Sequence, residues 1–288
     1  MKKVKKIIRS KIESLKAVRK RFTELSYYFY DVKNTYQASH WPVEHKCIDT
    51  LSAELVFQYH KLEKGLVMPG TKRMFGIKPA KATMRLLDNW QALDKSQITD
   101  PIFLAGVGTL QSYLAYLQLH QLDSNDDIST EAEYFLKKHT DQRANYSTPS
   151  RKPKYYNPQE FKTLTLARRS TREFIDKPVP KSIIIEAYQA AQQSPSACNR
   201  QSCSIQIISD PDLKREALTY QNGNKGFGHL AHSIAVITSN QKYFFGGLER
   251  HQPYVDGGLF SMSFILGLQS HGVSSCCLNW GVTPESDR

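Results

Sequence analysis

Cysteine is scarce and unpatterned in this chain. Cys47, Cys198, Cys203, Cys276 and Cys277 form no CxxC pair and no even framework, which argues against a zinc ribbon or a disulfide scaffold and makes reduced thiols the default. The vicinal pair in "GVSSCCLNW" reads as part of a buried strand, because free cysteine behaves as a small hydrophobe. Long apolar runs are missing as well. None approaches the roughly 20 residues needed to span a bilayer, and no signal-peptide pattern opens the chain, so the expected location is the cytoplasm. Nucleotide fingerprints are incomplete: "GVGTLQ" lacks the third glycine of a dinucleotide motif, and "GNKGFG" lacks the GK[ST] ending of a P-loop. His229 and His232 lie three apart with no nearby acid or thiol to complete a set, so no metal site is expected.

Acidic charge is also in short supply. Asp and Glu number 27 against 39 Lys and Arg, giving a formal net charge of +12 in 288 residues, and this favours a negatively charged partner. Much of the excess sits in "MKKVKKIIRSKIESLKAVRKRF", where Val4, Ile8, Ile12, Leu15, Val18, Phe22 and Leu25 recur at helical spacing. This is a basic amphipathic helix. Residues 1–30 could lie on an anionic membrane surface, or the stripe could pack on the rest of the protein. Nucleic acid ranks last as a partner, since aromatic residues enter this helix only at Tyr27 and Tyr28.

With 40% hydrophobic residues the chain can form one large domain with an appendage, or two small ones. Residues 1–140 read as a helical N-terminal region with a Trp41-Pro42 break. One periodic segment ends at Gly65, and others run near 79–93, 101–121 and 128–139. Residues 141–159 hold polar residues and prolines without apolar periodicity and read as a linker. Beyond it, residues 160–288 mix helices with the strands "SIQIISD", "SIAVITS" and "SSCCLN", which predicts an α+β or α/β core.

Two stretches carry the chemistry. "ARRSTREF" places Arg168, Arg169 and Arg172 around Ser170 and Thr171, and arginine suits bidentate binding of phosphate or carboxylate. The same run could be a solvated helix end, because cations favour a helix C-terminus. "SPSACNRQS" follows between a helix and a strand. Its Pro195, Ser196, Asn199 and Gln201 fit a ligand loop whose amides suit the edge of a heteroaromatic ring, or a plain connection.

The two stretches in this order resemble the nitroreductase family of FMN-dependent oxidoreductases, whose motifs have the forms RRSxRxF and PSxxNxQPW. "DGGLFSMSFILGLQSHGVSSCCLNW" is similar to the family's long central helix and the strand beside the flavin ring, so the likeness covers roughly residues 160–283. It implies a central mixed sheet flanked by helices, FMN as cofactor, and a homodimer. Arg168 and Ser170 would meet the phosphate and ribityl end, with Arg169 nearby. Arg172 would lie against N1 and O2 of the flavin, where negative charge develops on reduction. Ser196 and Asn199 match the second motif, often contributed across the subunit interface, while Leu278 and Asn279 fall beside N5. NADH or NADPH would reduce the flavin at N5, and a small-molecule acceptor would take the electrons in a ping-pong cycle. Ser202 and Cys203 stand where the family has Pro and an aromatic, which alters the pocket edge. The family continues past the last strand with a segment that often adds a basic phosphate contact, so the nitroreductase-like portion is expected to lack its C-terminal end. "FQYHKLEKGL" resembles a subgroup linked to surface-polysaccharide biosynthesis. The competing expectation is a flavin-poor scaffold or membrane-surface protein on the same fold.

Overall fold

In the computed structural model, residues 2–39, 41–42, 45–69, 72–93, 99–122, 127–139 and 157–287 are described, with side chains from residue 11 onward. Helices α1 (Lys2–Ala38), α2 (Ile48–Val67), α3 (Ile77–Leu93), α4 (Pro101–Leu119) and α5 (Ile128–Lys137) make up the first portion. Most of the predicted linker, residues 141–156, lies outside the described residues. The second portion runs α6 (Pro158–Ala167), α7 (Lys181–Gln192), β1 (Cys203–Ile208), α8 (Pro211–Tyr220), β2 (Ile234–Ser239) and α9 (Gln252–Ser270). The class is α+β, as expected.

Apolar spacing explains the helical core. Leu51, Leu55, Tyr59 and Leu62 on α2 meet Leu87 and Trp90 on α3 and Phe103, Val107, Leu110 and Tyr113 on α4. Among the described helices, α4 alone is long and apolar enough to cross a membrane on length and composition; here its buried face forms part of this core. Asp100 starts it by accepting a hydrogen bond from the Ile102 amide at 2.7 Å, with Pro101 in the first turn. Helix α2 does not stop at Gly65 but continues to Val67. The Phe75 ring packs where a Cβ on Gly65 would stand, at 1.9 Å, so this glycine makes room for a ring rather than ending the helix.

The second core is thinner. Ala187 and Ala191 of α7 and Phe260, Phe264 and Leu268 of α9 are its buried members, with Ile205, Ile207 and Ile237 of the sheet packed against them. Gly267 permits the close approach of the two helices, for a Cβ there would lie 2.8 Å from Ala187 Cα. Strands β1 and β2 pair antiparallel, from Cys203 opposite Ser239 to Ile208 opposite Ile234. The predicted third strand is not formed. Segment 274–279 makes one isolated parallel bridge, Ser275 to Ser170, with Thr171 N–H donating to Ser275 O at 3.1 Å. A single bridge satisfies too few backbone groups to order a strand, so Cys276 is only half-buried and Cys277 is exposed, contrary to the buried-strand expectation.

The two portions meet through polar and aromatic contacts. Lys242 Nζ reaches Asp49 at 3.3 Å, Trp41 Nε1 donates to Lys242 O at 2.9 Å, and the Phe57 and Phe245 rings lie 4.8 Å apart.

Candidate functional site

Helix α6 ends in the arginine cluster. Arg168 is its C-cap and is half-buried, whereas Arg169, Ser170 and Arg172 are exposed. Arg169 Nη1 donates to Arg168 O at 2.9 Å and Arg172 Nη1 to Ser170 O at 3.2 Å, so among the described residues both guanidinium groups hydrogen-bond to backbone carbonyls alone. None of the three arginines forms an ion pair among the described residues. Their planar donor forks are therefore open, among the described residues, to an anion with two acceptor oxygens such as a carboxylate or a phosphate. The helix C-terminus favours cations by less than about 1 kcal/mol at an exposed site, too little to account for three of them.

The cluster touches the segment after α9 through the Ser170–Ser275 bridge and the glycine-rich loop through Phe227. The Arg172 guanidinium lies 5.7 Å from the centre of the Phe227 ring. Gln221 Nε2 donates to Asn279 O at 2.9 Å, Asn222 Nδ2 donates to Gly281 O at 3.2 Å, and a Cβ on Gly223 would touch Leu278. Leu278 and Asn279 thus sit beside the glycine-rich loop, which the sequence reading had set aside.

The second motif forms a separate group. No hydrogen bond or ion pair among the described residues joins it to the arginine cluster. It turns between α7 and β1 through three non-glycine residues in the left-handed region, Cys198 at φ 52°, Asn199 at φ 55° and Gln201 at φ 49°. Asparagine accepts this conformation readily, but the other two cost about 1 to 2 kcal/mol each. Two buried anchors hold the turn. Asp256 on α9, 2% exposed, accepts from the Ala197 amide at 3.1 Å. Arg200, with no side-chain exposure, forms a fork on Glu249 at 2.7 and 3.0 Å and donates to Ala197 O at 2.9 Å and Tyr243 O at 2.7 Å. Rings of Trp41, Phe57, Phe244 and Phe245 surround its guanidinium at 5.1 to 5.9 Å. Trp41 and Phe57 come from the first portion, so the helical region helps wall the anchor of this loop. On α2, burial lowers the pKa of Lys61, against the opposing pull of Cys198 in the loop and of Glu54.

Pro195, Ser196 and Gln201 line a cavity with Cys203, Asp256 and Phe260. Its volume is about 40 Å³, room for a few waters and not for a tricyclic ring. The side chains of Asn199 and Gln201 are exposed and bonded to each other at 3.2 Å, and Ser196 Oγ accepts from the Gln201 amide at 3.1 Å. Burial raises the pKa of Cys203, which occupies the family's aromatic position.

Sequence reasoning missed Arg200, Asp256 and Glu249. Arg200 stands inside the quoted motif, but its partner is 49 residues away and only the fold joins them.

Residues 165–223 match the nitroreductase family. This nitroreductase-like segment contains both motifs. A curated relative named as an NADH dehydrogenase of Thermus thermophilus is 43% identical over 56 residues, which is 19% of this chain and 27% of the relative. The chain thus spans about a quarter of that relative's length. Among solved structures, a nitroreductase-type protein of Bacillus subtilis overlaps 46% of this chain and 80% of its own at 18% identity and a TM-score of 0.40. A nitroreductase with bound FMN from Desulfitobacterium hafniense overlaps 40% of this chain and 67% of its own at 20% identity and a TM-score of 0.34.

Proposed function

We propose that the chain is an FMN-dependent oxidoreductase of the nitroreductase type. The observation that carries this reading is three guanidinium groups with no ion-pair partner among the described residues, inside the segment that matches the family and next to the Ser170–Ser275 bridge and the Phe227 ring. Arg168, Arg169 and Ser170 would hold the phosphate and ribityl end. Arg172, steadied over Phe227, would place a cation where the reduced ring gathers negative charge. When bound, the flavin supplies two-electron transfer at N5, from NADH or NADPH to a small-molecule acceptor in alternate half-reactions. The name of the Thermus thermophilus relative supports a nicotinamide donor.

Ser196, Asn199 and Gln201 would complete the site from a second copy, which fits their separation from the arginine cluster. Val255, Leu259 and Met262 form an exposed apolar face on α9 that such a copy can cover. The test is the visible spectrum of protein mixed with FMN and stripped of excess. The wild type should keep the flavin bands. Arg172→Ala should weaken retention by about 10-fold or more, the worth of one hydrogen bond to a charged group. Equal flavin retention and equal NAD(P)H-driven bleaching in the variant would remove the role given to Arg172.

A further inference from the structure

Helix α1 docks on the protein by the side opposite to its apolar stripe. The half-buried positions Tyr27, Tyr30, Asn34, Thr35 and Ala38 face the body, where Tyr30 Oη donates to Asp287 at 3.0 Å and the following Ser39 O accepts from the Gly246 amide at 2.7 Å. Leu15, Val18, Phe22, Leu25, Phe29 and Val32 point elsewhere, each between 45% and 72% exposed. Their spacing is 3, 4, 3, 4, 3. That is a period of 3.5 residues, which keeps a seam straight only when helices wind around each other, whereas a helix lying on a flat surface drifts away from it.

In heptad terms Leu15, Phe22 and Phe29 are a positions and Val18, Leu25 and Val32 are d positions. The docked residues Tyr27, Tyr30, Asn34 and Ala38 fall at f, b, f and c, the outer side of a coiled coil, and Thr35, at g, lies beyond the last seam residue Val32, so docking leaves the seam from Leu15 to Val32 open. The flanking e and g positions give the partner's identity. In a parallel, in-register pair Ser14 faces Arg19, Arg21 faces Ser26, and Tyr28 faces Lys33, so no cation of the seam meets another cation. Lys33 against the Tyr28 ring adds a cation–π contact. The remaining charges are turned outward or offset: Lys16 pairs with Glu13 at 3.3 Å and Lys20 with Glu24 at 3.8 Å on the same helix. Lys11 at a d position ends the seam toward the N-terminus. We infer that α1 pairs with α1 of a second copy of this chain as a parallel two-stranded coiled coil over Leu15–Val32, a seam about 27 Å long. This pairing does not depend on flavin binding.

Disulfide trapping in the full chain tests it and separates this contact from any dimer made through α9. Leu25→Cys and Val18→Cys, both at d positions, should each give a cross-linked dimer on mild oxidation, well above the unsubstituted chain with its native thiols. Glu24→Cys, on the outer side, should give no more than that chain. Adding Phe22→Glu and Phe29→Glu to Val18→Cys should abolish the dimer band while the far-ultraviolet circular dichroism keeps its helical signal. Cross-linking of Glu24→Cys equal to Leu25→Cys, or no gain at either d position, would overturn the proposal. If those unpaired chains also bind phosphatidylserine vesicles through α1, the stripe is a membrane-facing surface.

Discussion

Replacing Arg200 by Met tests how the second motif is held. The substitution keeps an unbranched apolar stem beside the aromatic enclosure but removes the guanidinium and its four donated hydrogen bonds, two of them to Glu249. Removing one partner of a buried ion pair costs about 3 to 5 kcal/mol, because the other charge stays behind uncompensated. Glu249 retains 19% side-chain exposure and a hydrogen bond from the Phe245 amide at 3.0 Å, so its residual penalty is partly relieved. The expected loss is therefore about 3 kcal/mol, the lower end of that range. Urea unfolding followed by circular dichroism measures it. Trp41 adds a local probe, since its ring lies beside the guanidinium and its fluorescence should change in the native baseline. The double variant Arg200→Met, Glu249→Leu should recover about 1 kcal/mol or more, since no charge is then stranded. FMN retention should fall in Arg200→Met, because the strained turn from Cys198 to Gln201 loses its anchor. A loss below about 1 kcal/mol, or a double variant no more stable than the single one, would refute the argument.

Gly267→Ala should destabilise despite the better helix former. The added Cβ meets the Ala187 backbone at 2.8 Å, and overpacking of about 1 to 3 kcal/mol exceeds the gain of about 1 kcal/mol in propensity, so a thermal melt should show a lower midpoint. A raised midpoint would show that α7 and α9 can separate at little cost. Glu54 gives a pH test. Burial pushes its pKa up, but the hydrogen bond and charge of His45 and the charge of Arg85 outweigh this and leave it lowered. A lowered folded value contributes stability that is complete above the ordinary carboxylate value of about 4.3 and is lost as pH falls through the folded value. The stability gap between wild type and Glu54→Gln should accordingly narrow on acidification from about pH 6 to about pH 3. A gap independent of pH would mean that Glu54 does not titrate abnormally. Tyr113→Phe removes a hydroxyl that donates to Phe75 O and whose burial raises its pKa to about 12; denaturant unfolding should show a loss of about 1 kcal/mol, and no loss would mean water replaces the contact.

Local features were legible in the sequence because local physics sets them. Apolar spacing located α3, α4 and α5 to within a few residues, and Asp100-Pro101 and Asp210-Pro211 mark helix starts by their own capping chemistry. The two motifs were readable as residue types suited to an anion and to a ring edge, and their order carried the family resemblance. Where long-range contact decides, the sequence reading went astray. Gly65 looked like a helix stop until Phe75 was seen to fill the space beside it, and "SSCCLN" has strand composition but, among the described residues, pairs through one bridge alone. The partner of Arg200 could not be read from spacing, since 49 residues separate it from Glu249 and the rings around it come from both portions of the chain. The direction of the α1 stripe belongs to the same class: periodicity shows that a helix has an apolar face, and only the packed structure shows that this one turns away from the body.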